Sequence, residues 1–121
     1  MNIETALKES MAIDGAIGAA LVDYASGMCL GTAGGGRALD LEVASAGNTE
    51  VVRAKMRTMA SLALNDHIED MLITLHKQYH IIRLLSAPGG ELFLYLVLDR
   101  ERANLALARH ALRNIEKELK L

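Results

Sequence analysis

The sequence predicts a three-layer α/β/α sandwich built on a five-stranded, mainly antiparallel sheet. Three observations lead there. The stretch His67 to Asp99, HIEDMLITLHKQYHIIRLLSAPGGELFLYLVLD, reads as three consecutive strands divided by His76-Lys77-Gln78 and Ala87-Pro88-Gly89-Gly90. Its arms are rich in Ile, Leu, Val, Phe and Tyr, which suit a pleated surface. Ile81-Ile82 and the run Leu92 to Leu98 are apolar at consecutive positions, so both faces of the sheet call for cover. The rest of the chain supplies that cover: one further hairpin and three segments with helical periodicity, in the order helix, two strands, long helix, three strands, helix.

The first helix spans Ile3 to Met11, where Ile3, Leu7 and Met11 recur at helical spacing. Ile13-Asp14-Gly15 breaks it. Gly15 to Asp23 is the first strand, with Ile17, Ala19 and Leu21 on one face and Ala16, Gly18, Ala20 and Val22 on the other. The small second face predicts close approach of a helix or a neighbouring backbone. Tyr24-Ala25-Ser26-Gly27 is a turn, and Met28 to Ala33 returns as the second strand. After the Gly34-Gly35-Gly36-Arg37 connection, Asp40 suits an N-cap and Glu42 favours the first turn of a long helix reaching Leu64. Val52, Met56, Met59 and Ala63 form one apolar stripe on it, Ala44, Gly47 and Val51 a second, and Glu50, Arg53 and Arg57 a polar one. Gly47 is unfavourable inside a helix by up to about 1 kcal/mol relative to Ala. It marks a close helix contact, a later helix start or a kink. The last helix runs from Arg100 to about Leu119 behind an Asp99 cap, with Leu105, Ala108, Leu112, Ile115 and Leu119 as its apolar stripe.

Residues 1–121 read as one domain without repeats or linkers, long enough to bury a core without staples. The net charge of -2 and the 3% aromatic content exclude a basic, base-stacking nucleic-acid binder. Cys29 is the one cysteine, so no internal disulfide forms and a reducing cytoplasm is the expected setting. MNIETALKES shows no secretion signal, and no apolar run approaches the roughly 18 residues that span a bilayer. The 51% hydrophobic content is high, which leaves apolar surface over for a partner.

Catalytic and cofactor chemistry finds no footing. The glycine run Gly31 to Gly36 lacks the Lys-Ser/Thr pair of a phosphate loop and reads as a flexible connection. His67, His76, His80 and His110 show no ligand spacing on one helix; His76 and His80 flank a turn and read as solvated rather than as a metal site. Cys29 reads as a buried, inert thiol. Asp14, Asp23, Asp66, Asp70 and Asp99 stand where caps and turn residues stand. No catalytic, cofactor or metal residue is therefore assigned. An apolar sheet also has exposed edges, and His67 to Leu75 is a candidate edge that invites pairing with a second copy, its long helix beside the twin's.

The first hairpin GAIGAALVDYASGMCLGTAGG, the long helix leading into HIEDMLITLHKQYHIIRLL, and LFLYLVLDRERANLALARHALRNIE together resemble the Roadblock/dynein light chain family, in particular its short single-domain bacterial members. The resemblance covers nearly the whole chain. Its most specific part is the strand ending in Leu98-Asp99-Arg100 and the helix with Asn104, Leu105, Ala106 and Arg109. It implies a five-stranded sheet between helices and a homodimer through the third strand and the long helix. The interface is then expected at Ala44, Gly47, Val51, Met71, Ile73 and Leu75. It implies a non-enzymatic regulator of a Ras-like small GTPase, by activation or scaffolding, with a sensor kinase or scaffold as further partner. Some members of the family stimulate hydrolysis without donating an arginine, so Glu50, Arg53 and Arg57 are docking residues in this reading, not catalytic ones. A small-ligand sensor domain is the alternative; it predicts an apolar pocket between sheet and helix. Neither reading involves nucleic acid or membrane insertion.

Overall fold

The computed structural model describes residues 1–86 and 90–120. The chain runs α1 (Ile3–Met11), β1 (Ala16–Asp23), β2 (Met28–Gly34), α2 (Leu41–Ser61), β3 (Asp70–Thr74), β4 (Gln78–Leu84), β5 (Leu92–Asp99) and α3 (Leu105–Glu118). This is the expected order. The strands form one sheet in the order β2-β1-β5-β4-β3, and every pairing is antiparallel. The break expected at Ala87-Pro88-Gly89-Gly90 lies, for its first three residues, outside the described residues.

β5 sits at the centre. Leu92, Leu94, Leu96 and Leu98 point to one face and Phe93, Tyr95 and Val97 to the other, none more than 6% exposed. The two faces are covered unequally. On the leucine face α1 packs on β1 and β2, while Ala108, Leu112 and Ile115 of α3 pack against Leu94, Leu96 and Ile81. On the other face there is only α2, which packs on β1 and β2 and buries Val52 against Ala20, Val22 and Phe93. Ile82 and Leu84 of β4 are buried in the same cluster, but cover thins toward the sheet edge, where Met71 and Ile73 of β3 are only half-buried.

Small residues set the thickness of the sandwich. A Cβ at Gly31 would stand 2.9 Å from Leu7 Cδ1 of α1, and one at Gly18 would stand 2.9 Å from Leu39 Cδ2, just before α2. The hairpin is thus pinched from both sides, as the small face of β1 predicted.

Several local expectations change. Ile17 is the extra residue of a bulge between Ala16 and Gly18, so it packs with Ala20 and Val22 and not with Ala19 and Leu21. α2 ends at Ser61, and its buried face is Leu41, Ser45, Thr49 and Val52 instead of Val52, Met56, Met59 and Ala63. Ser45 and Thr49 enter the core because their hydroxyls donate to the Leu41 and Ser45 carbonyls, 2.6 and 2.8 Å away. α2 passes unbroken through Gly47, and no atom of the chain lies within 4 Å of where its Cβ would be. The edge strand begins at Asp70, not His67, and ends at Thr74. Asp99 caps only a single turn by accepting from the Glu101 N–H; Asn104 caps α3, which starts at Leu105 instead of Arg100. Cys29 is half-buried rather than buried.

Leu112 is fully buried beneath α3, whereas Leu107, on the same helix, is exposed. Leu112→Ala should therefore lower stability by about 3 kcal/mol. Leu107→Ala should change it by less than about 0.5 kcal/mol. Urea denaturation of the two variants checks the assignment of the α3 faces.

Candidate interaction surface

The residues that the sequence marks for self-association divide between the edge strand β3 and the outer side of α2. Met71 and Ile73 of β3 are half-buried and share the α2-side core cluster with Ala44. Leu75, just past the strand, is 41% exposed and Val51 of α2 is 43% exposed. Gly47 is exposed on α2 as well. β3 is the last strand of the sheet and pairs only with β4 among the described residues, so its outer backbone groups are open.

A polar spot sits beside this apolar edge. His80 of β4 stands opposite Ile73 on one side and Val97 on the other. Its Nδ1 is 2.9 Å from the Tyr95 hydroxyl and its Nε2 is 2.9 Å from Gln78 Oε1. The two rings meet edge to face at 5.6 Å. His80 is therefore a bonded, half-buried side chain and not the solvated turn residue expected from its position. Burial lowers its pKa below the ordinary histidine value. Burial raises that of Tyr95, and Asn48 of α2, beside the hydroxyl, counters part of the effect. No sequence motif announces this trio, because Asn48, His80 and Tyr95 meet only through the topology.

An ion network fastens the edge strand from the opposite face. Asp70 accepts two bonds from Arg109 of α3, at 2.8 and 3.1 Å. Arg83 of β4 bonds Glu116 Oε1 at 2.9 Å, with its Nη1 3.8 Å from Asp70. Glu116 also accepts from the Ser86 N–H and hydroxyl at 2.8 and 2.9 Å. Asp70 is thus a buried ion-pair partner, not the cap or turn residue expected. The other aspartates keep closer to expectation: Asp23 accepts from the Ala25 N–H within its turn, and Asp66 accepts from the His67 N–H. The hydrogen bonds it donates to Asp70 make the Arg109 guanidinium harder to deprotonate. Burial pushes the Glu116 carboxyl up, but its bonds to Ser86 and Arg83 outweigh that and hold it below its ordinary value.

The polar stripe of α2 divides into unlike parts. Arg53 is tied inward: its Nε donates to the Tyr24 carbonyl at 2.9 Å, one Nη donates to the Ala25 carbonyl at 2.6 Å, and the other meets Glu50 at 3.1 Å. It clamps the β1–β2 turn, where Gly27 has φ 82°. Arg57 is exposed and borders a shallow hollow of about 410 Å³ with Tyr24, Ala25 and Glu91. A larger open cleft of about 540 Å³ lies at the C-terminal end of α2, walled by Met56, Met59, Leu64, Ile68 and Leu84 and rimmed by Asp66, Glu69 and Glu116. Among the described residues no three His, Cys, Asp or Glu side chains stand where they could hold a metal ion. No helix among them is long and apolar enough to cross a membrane.

Known structures share this architecture. A Roadblock/LC7 domain from Streptomyces avermitilis matches with a TM-score of 0.80 at 10% identity, covering 97% of this chain and 93% of its own. MglB from Myxococcus xanthus matches at 0.76 and 17%, covering 94% of this chain and 78% of its own. The gliding protein MglB from Thermus thermophilus matches at 0.69 and 20%, covering 95% and 88%. No family model and no curated protein matches the sequence. The chain has the Roadblock/LC7 fold, as its sequence resemblance implied.

The ion network gives a pH-dependent expectation. Glu116→Gln should cost about 2 kcal/mol near neutral pH, because it weakens bonds to a buried guanidinium. A carboxyl held below its ordinary value stabilises the fold fully above that value, and the contribution is lost as pH falls through the folded-state value. The stability gap between the protein and its variant should therefore narrow toward acid. Urea denaturation at about pH 7 and about pH 3 measures it, and a constant gap would show that the carboxylate charge plays no part.

Proposed function

We propose that this Roadblock-fold chain is a non-enzymatic, homodimeric interaction module that regulates a Ras-like small GTPase. The observation that carries the reading is the open edge strand β3 with apolar side chains that the chain only half covers. Met71 and Ile73 are half-buried, Leu75 beyond them is exposed, and Val51 of α2 is exposed too. Apolar surface beside an unpaired strand is stabilised by burial against a matching surface. A second copy, related by a two-fold axis, brings both a matching β3 edge and a second α2. Ala44, Gly47 and Val51 then face their counterparts, and exposed Gly47 allows the helices to approach closely. Met71, Ile73 and Leu75 line the strand side of the same contact.

The GTPase part of the proposal rests on the family resemblance of the sequence, whose bacterial members regulate such enzymes, and on the likeness of the fold to MglB. The pairing of two α2 helices makes one broad surface of their outer faces and the two hairpin turns. Arg57 and Glu50 are its exposed charged groups, and Arg53 holds the hairpin turn against α2. A partner with a complementary face docks there, and a sensor kinase or scaffold is a further partner in the same signalling complex.

Two measurements test this. Light scattering after size exclusion should give the mass of two chains for the protein at micromolar concentration. Ile73→Glu should give the mass of one while circular dichroism stays unchanged, since Ile73 is already half-exposed in the single chain. A protein that sizes as one chain before mutation would count against the dimer. Mixing with a Ras-like small GTPase from the same genome should give a complex and alter GTP hydrolysis or nucleotide exchange. Arg57→Glu should weaken that complex by about tenfold, one charge pair's worth. If GTP turnover and exchange stay unchanged and no complex forms, the regulator reading fails.

A further inference from the structure

Self-association along the β3 edge would further bury His80, the half-buried residue that faces Ile73 of that edge, and that has a chemical consequence. The inference rests on the homodimer proposed above. As it stands, the ring is bonded at both nitrogens, to the Tyr95 hydroxyl and to Gln78 Oε1. A neutral imidazole satisfies both: Nδ1 accepts the Tyr95 O–H, and Nε2–H donates to Gln78. A protonated ring donates from both nitrogens, so the Tyr95 hydroxyl would have to turn and accept from Nδ1–H instead of donating to it. No carboxylate stands ready to compensate the charge. From β3 the facing residue is Ile73, from β5 Val97 and Tyr95, from β4 Gln78, and Asn48 of α2 stands beside the Tyr95 hydroxyl. Burial is the one influence that shifts the ring, and no charged neighbour contributes. A second copy laid along this edge adds Ala44, Gly47 and Val51, none of them charged, and removes the water that a cationic ring needs.

We propose that His80 makes self-association pH-dependent, the pair forming with a neutral imidazole in each protomer and loosening as the rings take up protons. The sign follows from proton binding. The separated chain leaves His80 half-exposed and able to bind a proton, while the associated pair excludes it. Whichever state binds more protons gains as pH falls, so acid favours separation. With one ring per protomer, the dissociation constant rises by up to about a hundredfold per pH unit below the pKa of the ring in the separated chain.

Sedimentation equilibrium at about pH 7.5 and about pH 5.5 provides the test, with wild type and His80→Gln compared. The wild-type dissociation constant should rise at the lower pH, and that of His80→Gln should rise by less than about a third as much. Glutamine keeps a polar side chain beside Tyr95 but does not titrate. His67, His76 and His110 remain in both proteins, so any contribution from them cancels. A wild type that associates equally at both pH values, or a variant that loosens as much as wild type, overturns the role of His80 and leaves the dimer reading intact. A wild type that stays a single chain at both pH values overturns both. If His80→Gln does not fold, ring-proton NMR of the wild type decides: His80 should titrate lower in the associated form than in the dilute chain, and equal values overturn the proposal.

Discussion

The constraint on which the rest of this molecule depends is the central strand β5, apolar on both sides and paired on both edges. A strand of that kind cannot face water anywhere, so the chain must supply cover twice. It has three helices to do so. Two go to the leucine face and complete it. One goes to the other face, where the cover is complete over β5 but leaves Met71 and Ile73 of the edge strand half-exposed. The proposed interaction surface follows from this shortfall as much as from any particular residue.

Stability and exposure are divided in the same way. On the complete face, packing is supplemented by the Asp70, Arg83, Arg109 and Glu116 network, which holds the short edge strand to α3. A buried ion pair of this kind is weak evidence for stability, since desolvation offsets much of its attraction, but removal of one partner is expensive. Its geometric effect is plainer. It fixes where β3 lies, and so leaves the opposite face of β3 at a defined height for a partner to meet. The polar content of the α2-side face is different: His80, Tyr95, Gln78 and Asn48 are uncharged partners, so the edge beside them can be covered without stranding a charge.

Much of the fold was legible in the sequence because its signals are local. The run Leu92 to Leu98, the Tyr24 to Gly27 turn, the Asp40 cap and the stripe of α3 each announce themselves within a few residues. The failures have physical reasons. Ser45 and Thr49 look polar on paper, yet each donates to its own helix and so packs as a small apolar side chain. The search for apolar spacing therefore found the wrong stripe on α2. Asp99-Arg100-Glu101 imitates a helix start, and Asn104 supplies the real one five residues later. The inward bond of Asp70 and the bonded state of His80 were out of reach. Their partners lie between 2 and 39 residues away, and the longer contacts depend on which strands are neighbours. The candidate surface was legible as an edge and a stripe, but how far Met71 and Ile73 stay exposed depends on where the helices lie.

The irregularity of the other edge has a bearing on how large an assembly can grow. Opposite Leu21 and Val22, β2 offers Gly31 and Cys29, so Leu30 is left as an extra, unpaired residue and the strand bends there. A sheet with two straight, open borders is a repeating unit, able to add copies without limit. A sheet with one straight border and one bent one is a unit with a single valence. The pairing proposed along β3 would then end where it begins, in a closed two-fold object, with the bulge at Leu30 opposing further growth.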